Sequence, residues 1–267
     1  NALLRTGSRG LVQTAVQAWQ TRSCAWDWRS KIQALTVVPD DDTPLRNELI
    51  ACVEANVAHF HGRYVAQANN PFGFILPGES AYNGTVNEIA AWQQDFVTAV
   101  FGWSVSMDLP IGPTHKSNLA AFFQWKAKSV VLRLSTSEKW WYLNAAPYTV
   151  KMGASVNANS FINGTGPWPE SEAAFYALSF AKPPAWFGST EGTLAFEFQP
   201  DYSAAVRGMW ANLQPALAYA VQHGVPGALE GYQRMVKANN WPLFQAQFNG
   251  IPVWSVKPSS GLVATPA

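Results

Sequence analysis

Charged residues are scarce in this chain. Asp, Glu, Lys and Arg make up 13% of its 267 residues, about half of the roughly 25% that is usual for a soluble protein. The formal net charge is +1, which gives no long-range attraction for nucleic acid, and we expect no nucleic-acid partner. Runs of about twenty apolar residues are also missing, so we expect no membrane span. A surface with so little charge suits neutral ligands such as glycans, or burial against other protein.

Motifs for metal, nucleotide and serine-nucleophile chemistry are missing as well. His59 and His61 would point apart on a helix, and no Cys/His spacing fits a zinc site. No glycine-rich phosphate loop follows a strand pattern, and no G-x-S-x-G elbow occurs. We therefore expect no metal and no cofactor. The two cysteines, Cys24 and Cys52, lie on successive predicted helices, where they could form a disulfide or remain buried thiols.

The chain starts at Asn1 rather than Met and shows no signal-peptide pattern. This is expected of a processed chain or a fragment. Asn83 and Asn163 each match the glycosylation sequon. Together these features favour an extracellular or virion-associated location.

Tryptophan is abundant, with 13 residues, and the segment 88–103 (EIAAWQQDFVTAVFGW) is central to the prediction. It is typical of a long helix that is buried on two faces. Glu88, Trp92 and Asp95 are spaced so that they lie along one stripe of such a helix. One interpretation is a cleft in which the flat indole carries a sugar ring while the carboxylates bind hydroxyls. The other is a buried Trp whose N–H is satisfied by a neighbouring acid.

The sequence predicts a mainly α fold. Thr43 is a suitable N-cap and Pro44 suits the first helical position, so a helix begins there after the break at 39–44. The segment 135–170 lacks periodicity, and long irregular segments of this kind are usually functional. Paired long helices with long irregular loops predict an (α/α) toroid or partial toroid over residues 1–250, with a short strand-like segment and tail at 251–267; an open solenoid and a plain bundle are the alternatives. The predicted helices are 8–37, 44–68, 88–103, 114–134, 170–180, 203–223 and 226–239.

Part of the chain resembles a region of large, poorly characterised bacterial and phage proteins. The residues that carry the resemblance are 20–29 (QTRSCAWDWR), 38–45 (VPDDDTPL), Asn56, Asn69, Asn70, 92–96 (WQQDF) and 252–256 (PVWSV). In that type the region is the C-terminal part of a longer chain. The resemblance implies a helical toroid, or the second half of one completed by another segment or a partner chain, and it implies no established activity. Many toroids are polysaccharide lyases or glycoside hydrolases, but activity carried over from fold alone is analogy.

The densest cluster of ionisable groups is the segment 59–64 (HFHGRY). A lyase needs a base, an acid and a group that neutralises the uronic carboxylate. His61, Tyr64 and Arg63 could fill these roles beside the asparagine pair at 69–70. The alternative places Tyr64 in the core and Arg63 at the surface. The asparagine pair leads into Pro-Phe-Gly, which departs from the Asn-His sequence associated with toroid lyases.

Glycoside hydrolysis would instead need two opposed carboxylates. The candidates are Glu79, Glu88 and Asp95, with Asp27 if the first helix lines the cleft. Neighbouring aromatic residues such as Trp140 and Trp141 suit sugar stacking and protein interfaces equally. The predicted catalytic residues are His61, Tyr64, Glu88 and Asp95. The predicted substrate-binding residues are Arg63, Asn69, Asn70, Glu79, Tyr82, Trp92, Trp140 and Trp141.

Two functional hypotheses follow. The first is a glycan-active or glycan-binding helical domain, with a polysaccharide or oligosaccharide bound in an aromatic cleft. The second is a structural or assembly protein of a virion or surface layer, whose aromatic faces are buried against partner chains. In either case the partner could be a second copy, or another chain that completes the toroid.

Overall fold

The computed structural model describes residues 21–65, 70–75, 88–134, 140, 144–153, 168–180, 203–237, 241–250 and 256–259. This part of the chain is mainly helical, which confirms the prediction of a mainly α fold. A π-helical turn (His61–Val65) continues the second helix. Two short strands, β1 (Glu88–Ile89) and β2 (Val150–Lys151), pair in antiparallel orientation. The helices are α1 (Thr21–Val37), α2 (Thr43–Phe60), α3 (Ala91–Val105), α4 (Pro113–Leu134), α5 (Glu172–Ser179), α6 (Ser203–Gln222), α7 (Ala228–Lys237) and α8 (Trp241–Gly250).

The long helices form two layers. In the first layer α3 contacts both α1 and α6, and in the second layer α4 contacts both α2 and α7. Each first-layer helix also contacts the helix that follows it, so α1/α2, α3/α4 and α6/α7 are helical hairpins. The main hydrophobic core lies between the layers. A smaller core lies beside β1, β2 and α5 and includes Trp140 and Phe175.

The positions at which α2 and α3 begin differ from the predicted ones. The N-cap of α2 is Asp42 rather than Thr43, because the Asp42 carboxylate accepts a hydrogen bond from the Leu45 N–H at 3.2 Å. α3 begins at Ala91 rather than at residue 88, because Ala90 is extended and the preceding residues pair with β2. Glu88 therefore does not share a helical stripe with Trp92.

Three other elements differ from the prediction. The strands β1 and β2 and the helix α8 were not predicted, and neither was the π-helical turn. Of the predicted strand-like segment at 251–256, residues 251–255 lie outside the described residues. No helix in the described part of the chain is both long and apolar enough to cross a membrane.

α3 is buried along most of its length, so its polar side chains make specific hydrogen bonds inside the protein. The Gln94 amide accepts from the Ile75 N–H at 3.0 Å and donates to the Ile75 carbonyl at 2.8 Å. The Trp28 indole N–H donates to the Ser104 hydroxyl at 2.8 Å and so links α1 to α3. These bonds satisfy polar groups that would otherwise destabilise the core.

The loop at residues 70–75 is fixed against α4. The Trp125 indole N–H donates to the Asn70 carbonyl at 3.0 Å. Gly73 has a φ of +72°, and a Cβ at this position would lie 2.5 Å from the carbonyl oxygen of Trp125 and 2.9 Å from that of Lys126. The loop can approach α4 this closely because residue 73 is glycine.

Replacing Gly73 with alanine is therefore expected to lower the free energy of unfolding by about 2–4 kcal/mol, because left-handed strain adds to a backbone clash. Chemical denaturation measures the change. Gly62→Ala is the matched control, since a Cβ there would meet nothing within 4 Å. Equal denaturation midpoints for the two variants would contradict the prediction.

Candidate functional site

Asp95 lies in the core rather than in an open cleft. Its carboxylate forms a two-pronged ion pair with the Arg133 guanidinium between α3 and α4, and neither side chain is exposed. Arg133 also donates to the carbonyls of Ser129 at 2.8 Å and Ala145 at 2.7 Å. Burial raises the pKa of Asp95, and the charge of Arg133 opposes that rise. A ligand has no access to this carboxylate.

His61, Arg63 and Tyr64 share the π-helical turn after α2. Tyr64 is buried and stacks on Trp125, with ring centroids 5.1 Å apart. The Arg63 guanidinium lies 5.6 Å from the centroid of the Tyr64 ring. His61 is half-buried. The turn thus brings three predicted residues together, but it directs the tyrosine ring into an aromatic cluster of the core.

The other predicted residues that the structure describes are dispersed. Glu88 is half-buried in β1, and Trp92 is half-buried with its ring 6.1 Å from that of Tyr148. Trp140 is fully buried, and the buried Asn70 side chain donates to the Phe74 carbonyl within its own loop. Asn69, Glu79, Tyr82 and Trp141 lie outside the described residues.

The additional acid and the two cysteines are also buried. Asp27 pairs with Lys31 at 2.6 Å, one helical turn away on α1. Cys24 and Cys52 are free thiols rather than a disulfide. Burial raises the pKa of Cys24 to about 12. A thiol with so high a pKa is not a nucleophile at neutral pH.

An open groove with a volume of about 900 Å³ lies along one stripe of α4, and we call it the α4 groove. One wall is formed by the loop at 71–72 and the start of α5. The other wall is formed by the turn between α6 and α7 and the start of α7. The floor is apolar and includes Val65, Phe72, Trp125, Val131, Leu132 and Val225. The rim carries Gln124, Lys128, Glu172 and Glu230.

Helix starts position the two carboxylates of the α4 groove. Glu172 is the first residue of α5, whose N-cap Ser171 accepts from the Ala174 N–H at 3.1 Å. Glu230 lies in the first turn of α7. Both positions favour negative charge because the helix dipole is positive there. The Gln124 amide donates to the His223 carbonyl at 2.7 Å, which fixes this polar side chain at the rim.

A second groove, of about 270 Å³, lies in the first layer between α1, α3 and α6. We call it the Trp26 groove, because the half-exposed Trp26 at its edge contacts two of its lining residues. The Trp26 ring meets Phe96 edge-on at 5.0 Å, and the Arg29 guanidinium lies 5.5 Å from its centroid. The lining residues are Arg29, Gln33, Phe96, Ala99, Val100, Trp103, Asn212, Pro215, Tyr219 and Val256.

None of the predicted catalytic residues lines either groove. The sequence contained one signal for the α4 groove: Ser171 before Glu172 is an N-cap pattern that places a carboxylate at a helix start. Nothing in the sequence indicated that this start faces α7. The described residues contain no group of three or more His, Cys, Asp or Glu side chains that could hold a metal ion.

No protein-family model, curated protein or solved structure matches this chain. The resemblance to regions of large bacterial and phage proteins therefore stays a prediction. The features of the described residues that bear on function are the two grooves and their chemistry.

Proposed function

We propose that the chain is a glycan-binding helical domain and that the α4 groove holds the glycan. The observation that carries the proposal is an apolar floor and a polar rim of mixed charge in one open groove of about 900 Å³. This volume is in the upper part of the range of about 300–1,000 Å³ for ligand sites. The carboxylates, ammonium and amide at the rim provide acceptors and donors for sugar hydroxyls.

The rim charges favour a neutral glycan over a polyuronate. Glu172 and Glu230 place two carboxylates in the groove, against the single ammonium of Lys128. A uronic polymer would bring further carboxylates beside them, and like charges in close contact oppose binding. The proposed ligand is therefore a neutral oligosaccharide, which differs from the substrate that lyase chemistry requires.

We propose binding rather than cleavage as the function of the groove. Asp95 and Tyr64, two of the predicted catalytic residues, are buried in ion-pair and aromatic contacts of the core. Hydrolysis in this groove would have to use Glu172 and Glu230, because these are the carboxylates among its lining residues.

The predicted (α/α) toroid is our proposal for the architecture around these grooves. Its support is the arrangement of consecutive hairpins, whose first helices form one layer and whose second helices form the other. A closed ring needs more hairpins than the described residues contain, so further residues or a partner chain would complete it. Val37 and Leu45 are exposed on the α1/α2 hairpin, which favours a partner contact there. Light scattering and small-angle X-ray scattering test this arrangement.

Binding is tested by titrating the full chain with neutral oligosaccharides and polyuronates in a calorimeter. Ala121→Trp should fill the α4 groove and lower the affinity for a neutral oligosaccharide roughly tenfold or more, because the new ring occupies the ligand volume. Ser117→Trp, an exposed position on the same helix and outside the groove, is the matched control and should bind normally. Glu172→Gln and Glu230→Gln should each weaken binding while Glu48→Gln, on α2, does not.

The mixtures of protein and glycan from these titrations are also assayed for cleavage. New reducing ends would indicate hydrolysis, and the absorbance of unsaturated products would indicate lyase activity. Binding without either product supports the proposal. Reducing ends that disappear in Glu172→Gln would replace binding by hydrolysis. Absence of binding across the panel, or binding that Ala121→Trp leaves intact, would refute the α4 groove as a glycan site.

A further inference from the structure

We propose that the Trp26 groove binds a small carboxylate with an apolar ring, the chemistry represented by phenylacetate. This site lies in the other helical layer from the α4 groove and shares no lining residue with it. The inference does not depend on the proposed glycan function. The Trp26 groove has a volume of about 270 Å³, which suits one ring with a short substituent rather than an oligosaccharide.

The floor of the groove is aromatic and aliphatic. Phe96 and Val100 of α3, Trp103 at the end of α3 and Tyr219 of α6 form it. Tyr219 lies against α3 because residue 102 is glycine: a Cβ there would be 2.5 Å from the Tyr219 Cβ. A ring lying on this floor would exchange water for aromatic contacts.

Arg29 supplies the charge that selects a carboxylate. Of the described residues that line the groove, Arg29 alone is charged. Within the described part of the chain it has no ion-pair partner. Its guanidinium lies over the Trp26 ring. Stacking of this kind orients a guanidinium and leaves its in-plane N–H fork able to bind a carboxylate with two hydrogen bonds.

The uncharged polar side chains beside Arg29 include Gln33, Asn212 and the hydroxyl-bearing Tyr219. Gln33 and Asn212 line the groove, and neither side chain makes a hydrogen bond within the described residues. A sugar ring would place several hydroxyls against Phe96 and Val100, where they would lose hydrogen bonds to water without replacement. An apolar ring with one carboxylate avoids that cost.

The wall next to α6 is held by side-chain amides. Gln214 donates to the Val256 carbonyl, and the Ser259 N–H donates to the Gln222 amide oxygen at 2.8 Å. Val256 is thereby kept at the groove. The pocket thus has an apolar floor on α3, a wall on α6 in which Asn212 is the one amide, and a single cation on α1 beside Gln33.

Titration of the full chain with phenylacetate, followed by tryptophan fluorescence and calorimetry, tests the proposal. We expect saturable binding, and a loss of affinity of roughly tenfold or more in Arg29→Met, because a charged hydrogen-bonded pair is lost. Arg29→Lys should retain part of the affinity, since it keeps the charge without the fork. Arg22→Met is the matched control: Arg22 is also on α1 and lies 5.9 Å from a tryptophan ring centroid, that of Trp92, but it does not line the groove.

Two further probes separate the parts of the proposal. Phenylacetamide, which has the same ring without the charge, should bind at least several-fold more weakly than phenylacetate. Glucuronate, which has the carboxylate without the apolar ring, should also bind more weakly. Equal binding of phenylacetamide, equal binding of glucuronate, an equal loss in Arg22→Met, or no saturation at millimolar phenylacetate would each overturn the inference. A negative result with phenylacetate would not contradict the proposed glycan site in the α4 groove, because Ala121→Trp tests that groove separately.

Discussion

Arg133→Met is expected to lower the free energy of unfolding by about 3–5 kcal/mol, which is typical of removing one partner of a buried ion pair. The variant leaves the Asp95 carboxylate without its guanidinium in a site with no solvent exposure. It also removes the donors to the Ser129 and Ala145 carbonyls. Urea denaturation with circular dichroism measures the loss.

Two comparisons show whether the loss comes from the ion pair. In the double variant Asp95→Leu/Arg133→Met neither member of this ion pair is left as a buried charge without the other, so we expect at least half of the lost stability to return. Lys116→Met removes a partner from the exposed Asp108–Lys116 pair, where water replaces the lost contact, and its denaturation midpoint should stay unchanged. If Arg133→Met behaves like Lys116→Met, the ion pair does not stabilise the fold.

The helices were predictable because their signals are local. Apolar residues repeat at helical spacing over 114–134, and α4 indeed spans Pro113–Leu134. Strands of two residues, such as β1 and β2, carry no period that a sequence could reveal. The assignment of Glu88 to a helix failed for this reason: its backbone follows a partner, Lys151, that is distant in the chain.

The candidate site was harder to predict because it depends on contacts between distant residues. Asp95 was a plausible catalytic acid when it was seen beside Trp92 alone. Its neighbour in space is Arg133, 38 positions later, and this pairing places the carboxylate in the core. In the same way, Glu172 and Glu230 belong to different helices, α5 and α7. They line one groove only because both helices begin beside α4.

The two-layer arrangement also explains why so many polar residues are buried. α3 lies between α1 and α6 and against α4, so most of its surface meets protein rather than solvent. Side chains such as Gln94 and Ser104 then have to be satisfied internally. The sequence shows the polarity of α3, for which a ligand-binding stripe and a buried, internally hydrogen-bonded face are both open interpretations. The structure uses much of that polarity to position neighbouring segments.

Lys126→Met is expected to raise the stability of the protein at pH 7, the opposite of the Arg133 variant. The Lys126 ammonium is fully buried, with the Ser129 hydroxyl 3.0 Å away and the Phe74 ring centroid 5.9 Å away. Burial lowers the pKa of Lys126 to about 7; the charge of Asp95 opposes this shift and that of Arg133 adds to it. Methionine keeps the apolar stem and removes the desolvation cost, so we expect a gain of a few kcal/mol, in order of magnitude.

The lowered pKa of Lys126 also predicts how the free energy of unfolding changes with pH. Between pH 7 and the ordinary lysine pKa of 10.5, the unfolded chain binds a proton at Lys126 that the folded chain has released. The free energy of unfolding should therefore rise with pH above 7, by up to about 1.4 kcal/mol per pH unit. Cys24, whose pKa burial raises from 9.0 to about 12, opposes this trend above pH 9, because its stabilising contribution is lost as the unfolded thiol ionises. The measurement therefore belongs between pH 7 and 9.

Denaturation across that range should show a rising free energy of unfolding for the native sequence and a flatter profile for Lys126→Met. Lys31→Met is the contrasting variant, because Lys31 is equally buried but pairs with Asp27 at 2.6 Å. Its loss should destabilise the protein at every pH in the range, since the buried Asp27 carboxylate would lose the ammonium that it pairs with. Parallel profiles for the native sequence and Lys126→Met would mean that Lys126 keeps its proton in the folded state, held by Asp95.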